Sequence, residues 1–207
     1  QHMVEDCASL KRNVLLVSLP NENLEKLSLD IKEKFGVQSD FFEIDLTEKD
    51  SSKSIFNWVK KNNYSIDFLI NNAGFGGVGS FEDYSIEYIE KMIDLNIKAT
   101  TNLTHYFIPD LKNNSPSYIL NNASMIANFP CPYKSIYAAS KVYVKYFTEA
   151  LRVELKVYDI SVSLLQPGAT PTNDIVINQI NKGGFFARLS VTAASEVAKK
   201  AVRDTLS

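Results

Sequence analysis

The sequence predicts an α/β fold built on a doubly wound parallel sheet. Three observations carry that expectation. Short apolar runs alternate with longer amphipathic ones along the chain. The short runs are rich in Val, Ile, Leu and Phe with little alternation, as strands covered on both faces are. Helices between successive strands act as crossovers, which makes the strands parallel and the connections right-handed.

The strand-like runs are "NVLLVSL" (13–19), "SDFFEIDL" (39–46), "IDFLINNAG" (66–74), "SYILNNAS" (117–124) and "ISVSLLQPG" (160–168). Helix-like runs lie between them. "ENLEKLSLDIKEKFG" (22–36) ends at Gly36, a plausible C-cap. "KDSSKSIFNWVKKNN" (49–63) sets Ile55, Trp58 and Val59 at helical spacing. "SIEYIEKMIDLNIKATTNLTHYFIPDLKNN" (85–114) is long, and Pro109 is expected to kink or end it. Residues 137–157 form the most helix-like run, and "TAASEVAKKAVRDTL" (192–206) is the last. The stretch 169–192, with Pro171, Gly183 and Gly184, is the least regular and reads as a lid.

A chain of 207 residues fits a single domain, 1–207, with a substantial core. Hydrophobic residues make up 45% and charged residues 22%, a soluble globular balance. The net charge is −2, and no Lys/Arg cluster is interleaved with aromatics, so nucleic acid is not an expected partner. Cys7 and Cys131 have neither metal-like spacing nor a CxxC pattern, and no signal peptide is visible; a cytoplasmic setting is expected. No apolar run approaches the roughly 18 residues of a membrane span. With only His2 and His105, no metal is expected.

The chemistry centres on "SIYAASK" (135–141). Tyr137 and Lys141 stand four residues apart, on one face of a helix. A free tyrosine, with a pKa of about 10, is a poor acid–base catalyst near neutrality. A nearby ammonium favours the phenolate and lowers that pKa. The phenol can then protonate a developing alkoxide or take a proton from an alcohol. Alone, the spacing favours a buried tyrosine beside a snorkelling lysine. The surroundings favour the catalytic reading. Ser124 ends a strand thirteen residues before Tyr137, and "INNAG" (70–74) closes another. "DLN" places Asn96 inside the long helix, and "LQPGATPT" (165–172) follows the last strand. Open α/β sheets bind ligands at such carboxyl ends.

In the order and spacing of NNAG, the helical Asn, the Ser, YxxxK and the PG turn, the sequence resembles the short-chain dehydrogenase/reductase family over almost its whole length. The resemblance implies a Rossmann-type sheet, a nicotinamide cofactor, and a small-molecule carbonyl or alcohol substrate. Tyr137 would be the general acid/base. Lys141 would lower its pKa and bond the nicotinamide ribose. Ser124 would bond the substrate oxygen where negative charge develops. Asn96 would hold a water connecting Lys141 to solvent. Asn72, Ala73 and Gly74 would let backbone approach the adenosine half, although a turn of small residues needs no cofactor to explain it. Asp45 and Leu46 resemble the family's acidic segment near the adenine. Pro167, Gly168, Thr170 and Thr172 resemble the segment beside the nicotinamide and phosphates, with Thr170 where an apolar residue is usual.

The family's opening strand and TGxxxGxG turn have no counterpart, since Gly36 is the first glycine. "HMVEDCASLKRN" (2–13) instead matches the helix that follows that turn. The first strand of a Rossmann order is central, so its absence leaves two apolar strands with unpaired backbone groups. Roughly 10–20 further residues are expected upstream, with "QHM" alternatively read as a cloning scar.

At the end of the second family strand, "VSLPNEN" offers neither an acidic reader of the NAD 2′-OH nor a basic one for the NADP phosphate. The choice leans to NADP(H) over NAD(H), with Ser18 as the phosphate contact. Phe75, Met125, Ile126, Phe129 and Tyr133 are candidate walls of an apolar pocket, under a lid over 173–190 that includes Phe185 and Phe186; the same residues also suit a core beneath a loop. On the 137–157 helix, Tyr143, Phe147, Leu151 and Leu155 form one stripe, and Val142, Tyr146, Ala150 and Val153 a second apolar line. One packs on the sheet. The other is left for a second subunit, and family members pair through this helix and the long one before it, so a homodimer or homotetramer is expected. The rival readings are a non-catalytic cofactor-binding or scaffold member of the same fold and, third, a nucleotide-sugar epimerase.

Overall fold

The computed structural model describes residues 1–168 and 193–206. In chain order the main elements are α1 (His2–Ser9), β1 (Val14–Ser18), α2 (Leu24–Phe35), β2 (Ser39–Glu43), α3 (Ser51–Lys61), β3 (Phe68–Asn71), α4 (Ile86–Ile93), a π-helical segment (Asp94–Ala99), α5 (Thr100–Asn113), β4 (Ser117–Asn122), α6 (Ser135–Leu155), β5 (Ile160–Leu165) and α7 (Ala194–Leu206). All five expected strands and the expected helices form within a few residues of their anticipated ends. Thr170, Thr172 and the expected lid with Phe185 and Phe186 lie outside the described residues.

Two compact units result: Gln1–Ile44 with the described part of Pro167–Ser207, and Asp45–Gln166. In the first, β1 and β2 pair in parallel with Leu16 opposite Phe41. Gly36 closes α2 in the left-handed conformation (φ 66°), which a glycine adopts without steric cost. α1 packs against α7, where Ala8 and Val202 are fully buried.

In the second unit β3, β4 and β5 form a parallel sheet with β4 in the middle. Ile119 and Leu120 of β4 are almost wholly buried. Side chains of that kind contribute about 1.5–3 kcal/mol each through burial. Among the described residues β1 pairs only with β2, and β3 only with β4. β1 and β3 are mainly half-buried, unlike β4.

The structure narrows two expectations. Of a kink or an end at Pro109, it excludes the end: the helix runs on to Asn113. Phe107 and Leu111 are buried on either side of it, and that packing outweighs the one backbone bond a proline forfeits. On α6 the buried residues are Ala138, Ser140, Lys141, Val144, Thr148, Leu151 and Leu155, so the first stripe divides: Leu151 and Leu155 pack inward, while Tyr143 lies outward, stacked on Phe147 with ring centroids 5.8 Å apart.

Candidate active site

The carboxyl ends of β3 and β4 carry the same tripeptide, Asn-Asn-Ala, in register: Asn71 stands opposite Asn121. The pleat sends the first asparagine of each strand inward. Asn71 Nδ2 donates to Thr104 Oγ1 of α5 (3.0 Å) and to Asn121 Oδ1 (2.8 Å). Asn121 Nδ2 donates to Thr148 Oγ1 of α6 (3.0 Å). The two threonine hydroxyls donate to Thr100 O and Val144 O, one turn back on their helices. A buried polar ladder thus ties α5, β3, β4 and α6 together beneath the site. The second asparagines sit at the edge, where Asn122 Nδ2 donates to Asn72 Oδ1 (2.9 Å).

Beyond β3 the chain is exposed at Asn72, Ala73 and Gly74. Gly74 has a packing reason to be glycine. A Cβ there would lie 2.9 Å from Asn96 Oδ1 and 3.2 Å from Lys141 Nζ. Asn96 itself stands in the π-helical segment and is 1% exposed. The wider turn of a π-helix redirects a side chain that a continuous α-helix would aim elsewhere. Its Oδ1 accepts from Phe75 N (3.0 Å), and its Nδ2 donates to Phe75 O (2.9 Å) and Ser140 Oγ (3.0 Å). Ser140 Oγ donates in turn to Tyr137 O (2.7 Å). The expected task of Asn96 is to hold a water toward Lys141. In the structure its side chain clamps the loop after β3 to α6.

Ser124 follows β4 and caps the short helical turn Met125–Asn128, its Oγ accepting from Ile126 N (3.3 Å). The Ser124 side chain also acts to lower the pKa of the Tyr137 phenol. Lys141, 4% exposed, donates from Nζ to Asn122 O (2.8 Å) and lies 5.8 Å from the centroid of the Tyr137 ring. Burial pulls the Lys141 ammonium down from its ordinary 10.5 to about 8. Burial pushes the Tyr137 phenol above its ordinary range, and the Ser124 side chain opposes this in part. The expected lowering of Tyr137 by Lys141 is therefore not what governs this phenol: desolvation dominates it, and Ser124 is the group that counters.

The structure brings Asn96, Ser124, Tyr137, Lys141 and the 72–74 turn together within the second unit. Asp45 and Leu46 open that unit. Asp45 Oδ1 accepts from both the amide and the hydroxyl of Thr47 (2.8 Å each), so one carboxylate oxygen is engaged in a local turn. Leu46 O accepts from Ser51 Oγ at the start of α3. Ser18 closes β1 in the first unit, with its carbonyl accepting from Ile44 N (2.9 Å). Pro167 and Gly168 follow the end of β5. Of the expected pocket walls, Ile126 is buried, and Phe75 packs edge-on against Tyr88. Met125, Phe129 and Tyr133 are 46%, 54% and 64% exposed, an apolar rim rather than a core. Sequence reading missed Ser140, Asn122 and the ladder. The duplicated Asn-Asn-Ala was the available signal.

A serine, a tyrosine phenol and, one turn on, a buried lysine stand together at the carboxyl end of a parallel strand. The chain belongs to the short-chain dehydrogenase family, whose model it matches over residues 1–179. It is 28% identical over 189 residues to a very-long-chain 3-oxoacyl-CoA reductase of Anas platyrhynchos, across 87% of this chain and 58% of that protein. A short-chain dehydrogenase from Sphingobium yanoikuyae, solved in complex with NADPH, superposes with a TM-score of 0.83 at 27% identity, over 98% of this chain and 78% of that one. The bulky-bulky ketone specific alcohol dehydrogenase from Comamonas testosteroni gives 0.77 at 26%, over 93% and 80%. The chain spans about half the length of the curated relatives it matches, 48%, 58% and 53% for three of them.

Proposed function

We propose that this chain interconverts a carbonyl and a secondary alcohol by NADP(H)-linked hydride transfer, with Tyr137 as general acid/base. The observation that carries the reading is the buried Lys141 at the end of β4, one turn on from Tyr137, with Ser124 acting on the Tyr137 phenol. Two hydroxyls converge there on the place a substrate oxygen would take. Ser124 would stabilise that oxygen as charge develops, and the phenol would pass its proton to it. Burial keeps the phenol protonated at neutral pH, the form that reduction of a carbonyl needs.

The residues present fit the cofactor. The 72–74 backbone is open, and Gly74 leaves room for the Asn96 and Lys141 head groups. Asn72, Ala73 and Gly74 would face the adenosine half, Lys141 would bond the nicotinamide ribose, and Asn96 would keep the turn in place. The nicotinamide would supply or accept the hydride. Ser18, which ends β1 with no charged residue at 19 or 20, is the proposed contact of the adenosine 2′ position. The NADPH complex of the Sphingobium relative supports NADP(H).

The rim of Met125, Phe129 and Tyr133 favours a medium-sized apolar ketone or acyl substrate. The Comamonas enzyme's bulky ketones and the Anas enzyme's very-long-chain 3-oxoacyl-CoA are in keeping with that. Tyr146 (64% exposed) and Val153 (75%) present an apolar surface on α6, which supports a homodimer or homotetramer. The spacing of Cys7 and Cys131, neither CxxC nor metal-like, accords with a reducing, cytoplasmic setting.

A panel of apolar ketones followed by NADPH and NADH absorbance tests the proposal. Turnover of at least one ketone is expected, with NADPH bound at least tenfold more tightly than NADH. Absence of turnover across the panel would favour the non-catalytic reading, and tenfold tighter NADH would reverse the cofactor choice. Sedimentation that finds only monomer at micromolar concentration would remove the oligomer.

A further inference from the structure

We propose that Gly76 is a positioning residue for Tyr137, and that the absence of a side chain at 76 is what lets the phenol ring lie where it meets Ser124. The inference rests on the acid/base role proposed for Tyr137.

Gly76 belongs to "GFGGVG" (74–79), the loop that leaves β3. A Cβ built there would lie 2.6 Å from Tyr137 Cγ and 2.9 Å from Cε2, and closer still to Cδ2. All three nearest atoms belong to that one ring. Gly76 does not have a left-handed φ, so alanine would meet no backbone objection. Space for the ring is the reason for glycine at this position.

Neither partner can back away easily. Both polar groups of the Phe75 backbone are bonded to Asn96 (3.0 and 2.9 Å), and Gly79 N donates to Tyr133 O (2.9 Å), so the loop is pinned on both sides of Gly76. Tyr137 is held at its backbone, where Ser140 donates to its carbonyl (2.7 Å). The contact falls at the root of the ring rather than its tip. A methyl group at 76 would therefore turn the whole side chain about χ1 and carry the phenol off Ser124. The other glycines of the loop differ. A Cβ at Gly77 would press mainly on the Tyr88 hydroxyl, the free end of a side chain, and one at Gly79 would be 3.4 Å from Tyr84, an ordinary contact.

The test compares Gly76→Ala with Gly79→Ala in the full chain, by crystal structure, NADPH affinity and ketone reduction. For Gly76→Ala the expected result is a rotated Tyr137 ring, unchanged NADPH affinity, and a kcat lower by about 100-fold, the order of loss that a misplacement of about 1 Å produces. Gly79→Ala is expected to keep the wild-type ring and rate. In a Tyr137→Phe background, Gly76→Ala should lower the residual rate no further. An unmoved ring with wild-type kcat in Gly76→Ala would overturn the proposal, as would an additional loss in the Phe background. If Gly76→Ala does not fold, adding Tyr137→Ala removes the ring the methyl meets and should restore the melting temperature of Tyr137→Ala alone. Failure to restore it also overturns the proposal. If the wild-type chain reduces no ketone, the acid/base reading fails, while the ring position still decides whether Gly76 sets it.

Discussion

The same three residues, Asn-Asn-Ala, end β3 and β4, yet the two asparagines of each pair do different work. Asn71 and Asn121 are 6% and 0% exposed and build a buried ladder between two helices. Asn72 and Asn122 meet one residue further on, beside the carbonyl that receives Lys141. A single step along a pleated strand separates a group that supports the sheet from one that borders the chemistry. The inner pair should govern stability and leave the rate alone. The outer edge should do the reverse.

That division can be broken experimentally. Among substitutions at the two strand ends, Ser124→Ala should show the largest effect, a kcat lower by about 100-fold, since it removes a donor aimed at the developing oxyanion. Its urea midpoint should barely move. Asn121→Leu should cost about 2 kcal/mol, because Asn71 and Thr148 lose a buried partner. Urea unfolding checks it, and kcat per folded molecule should hold. A large loss of kcat with unchanged stability would place the inner pair in the chemistry.

Lys141→Met sharpens the comparison through pH. The folded-state pKa of Lys141 lies below its unfolded value, at about 8 against 10.5. Between those values the unfolded chain binds the extra proton, so this lysine makes stability rise with pH across that window. Its burial cost is fully present below about pH 8. The variant should therefore gain melting temperature relative to wild type at pH 7, and the gain should shrink toward pH 10.5. A pH-independent difference would contradict burial as the cause. Asn122→Ala should have the smallest effect, under about 1 kcal/mol, because it removes one hydrogen bond at a half-exposed edge.

The strands, the amphipathic helices and the Tyr137–Lys141 pair were legible because local spacing records them: an apolar run, a helical period, four residues on one face. Neither apolar line on α6 traces its full packing face, because Thr148, a polar residue, belongs to it; only the ladder across β4 shows why a hydroxyl is buried there. The cause of the Tyr137 shift was misassigned for a similar reason. Sequence shows that a lysine is near, but whether burial or charge dominates depends on solvent access. The π-helical turn at Asn96 has no pattern of its own, and the part of Asn96 as a clamp appears only once Phe75 and Ser140 are brought to it.

The most direct test of the central claim is Tyr137→Phe, which removes one hydroxyl and keeps the ring. NADPH-dependent reduction of an apolar ketone should fall by about 1000-fold, within the range general acid catalysis supplies, while NADPH binding and melting temperature stay near wild type. Undiminished turnover in Tyr137→Phe would show that the phenol is not the proton donor and that the site works by another route.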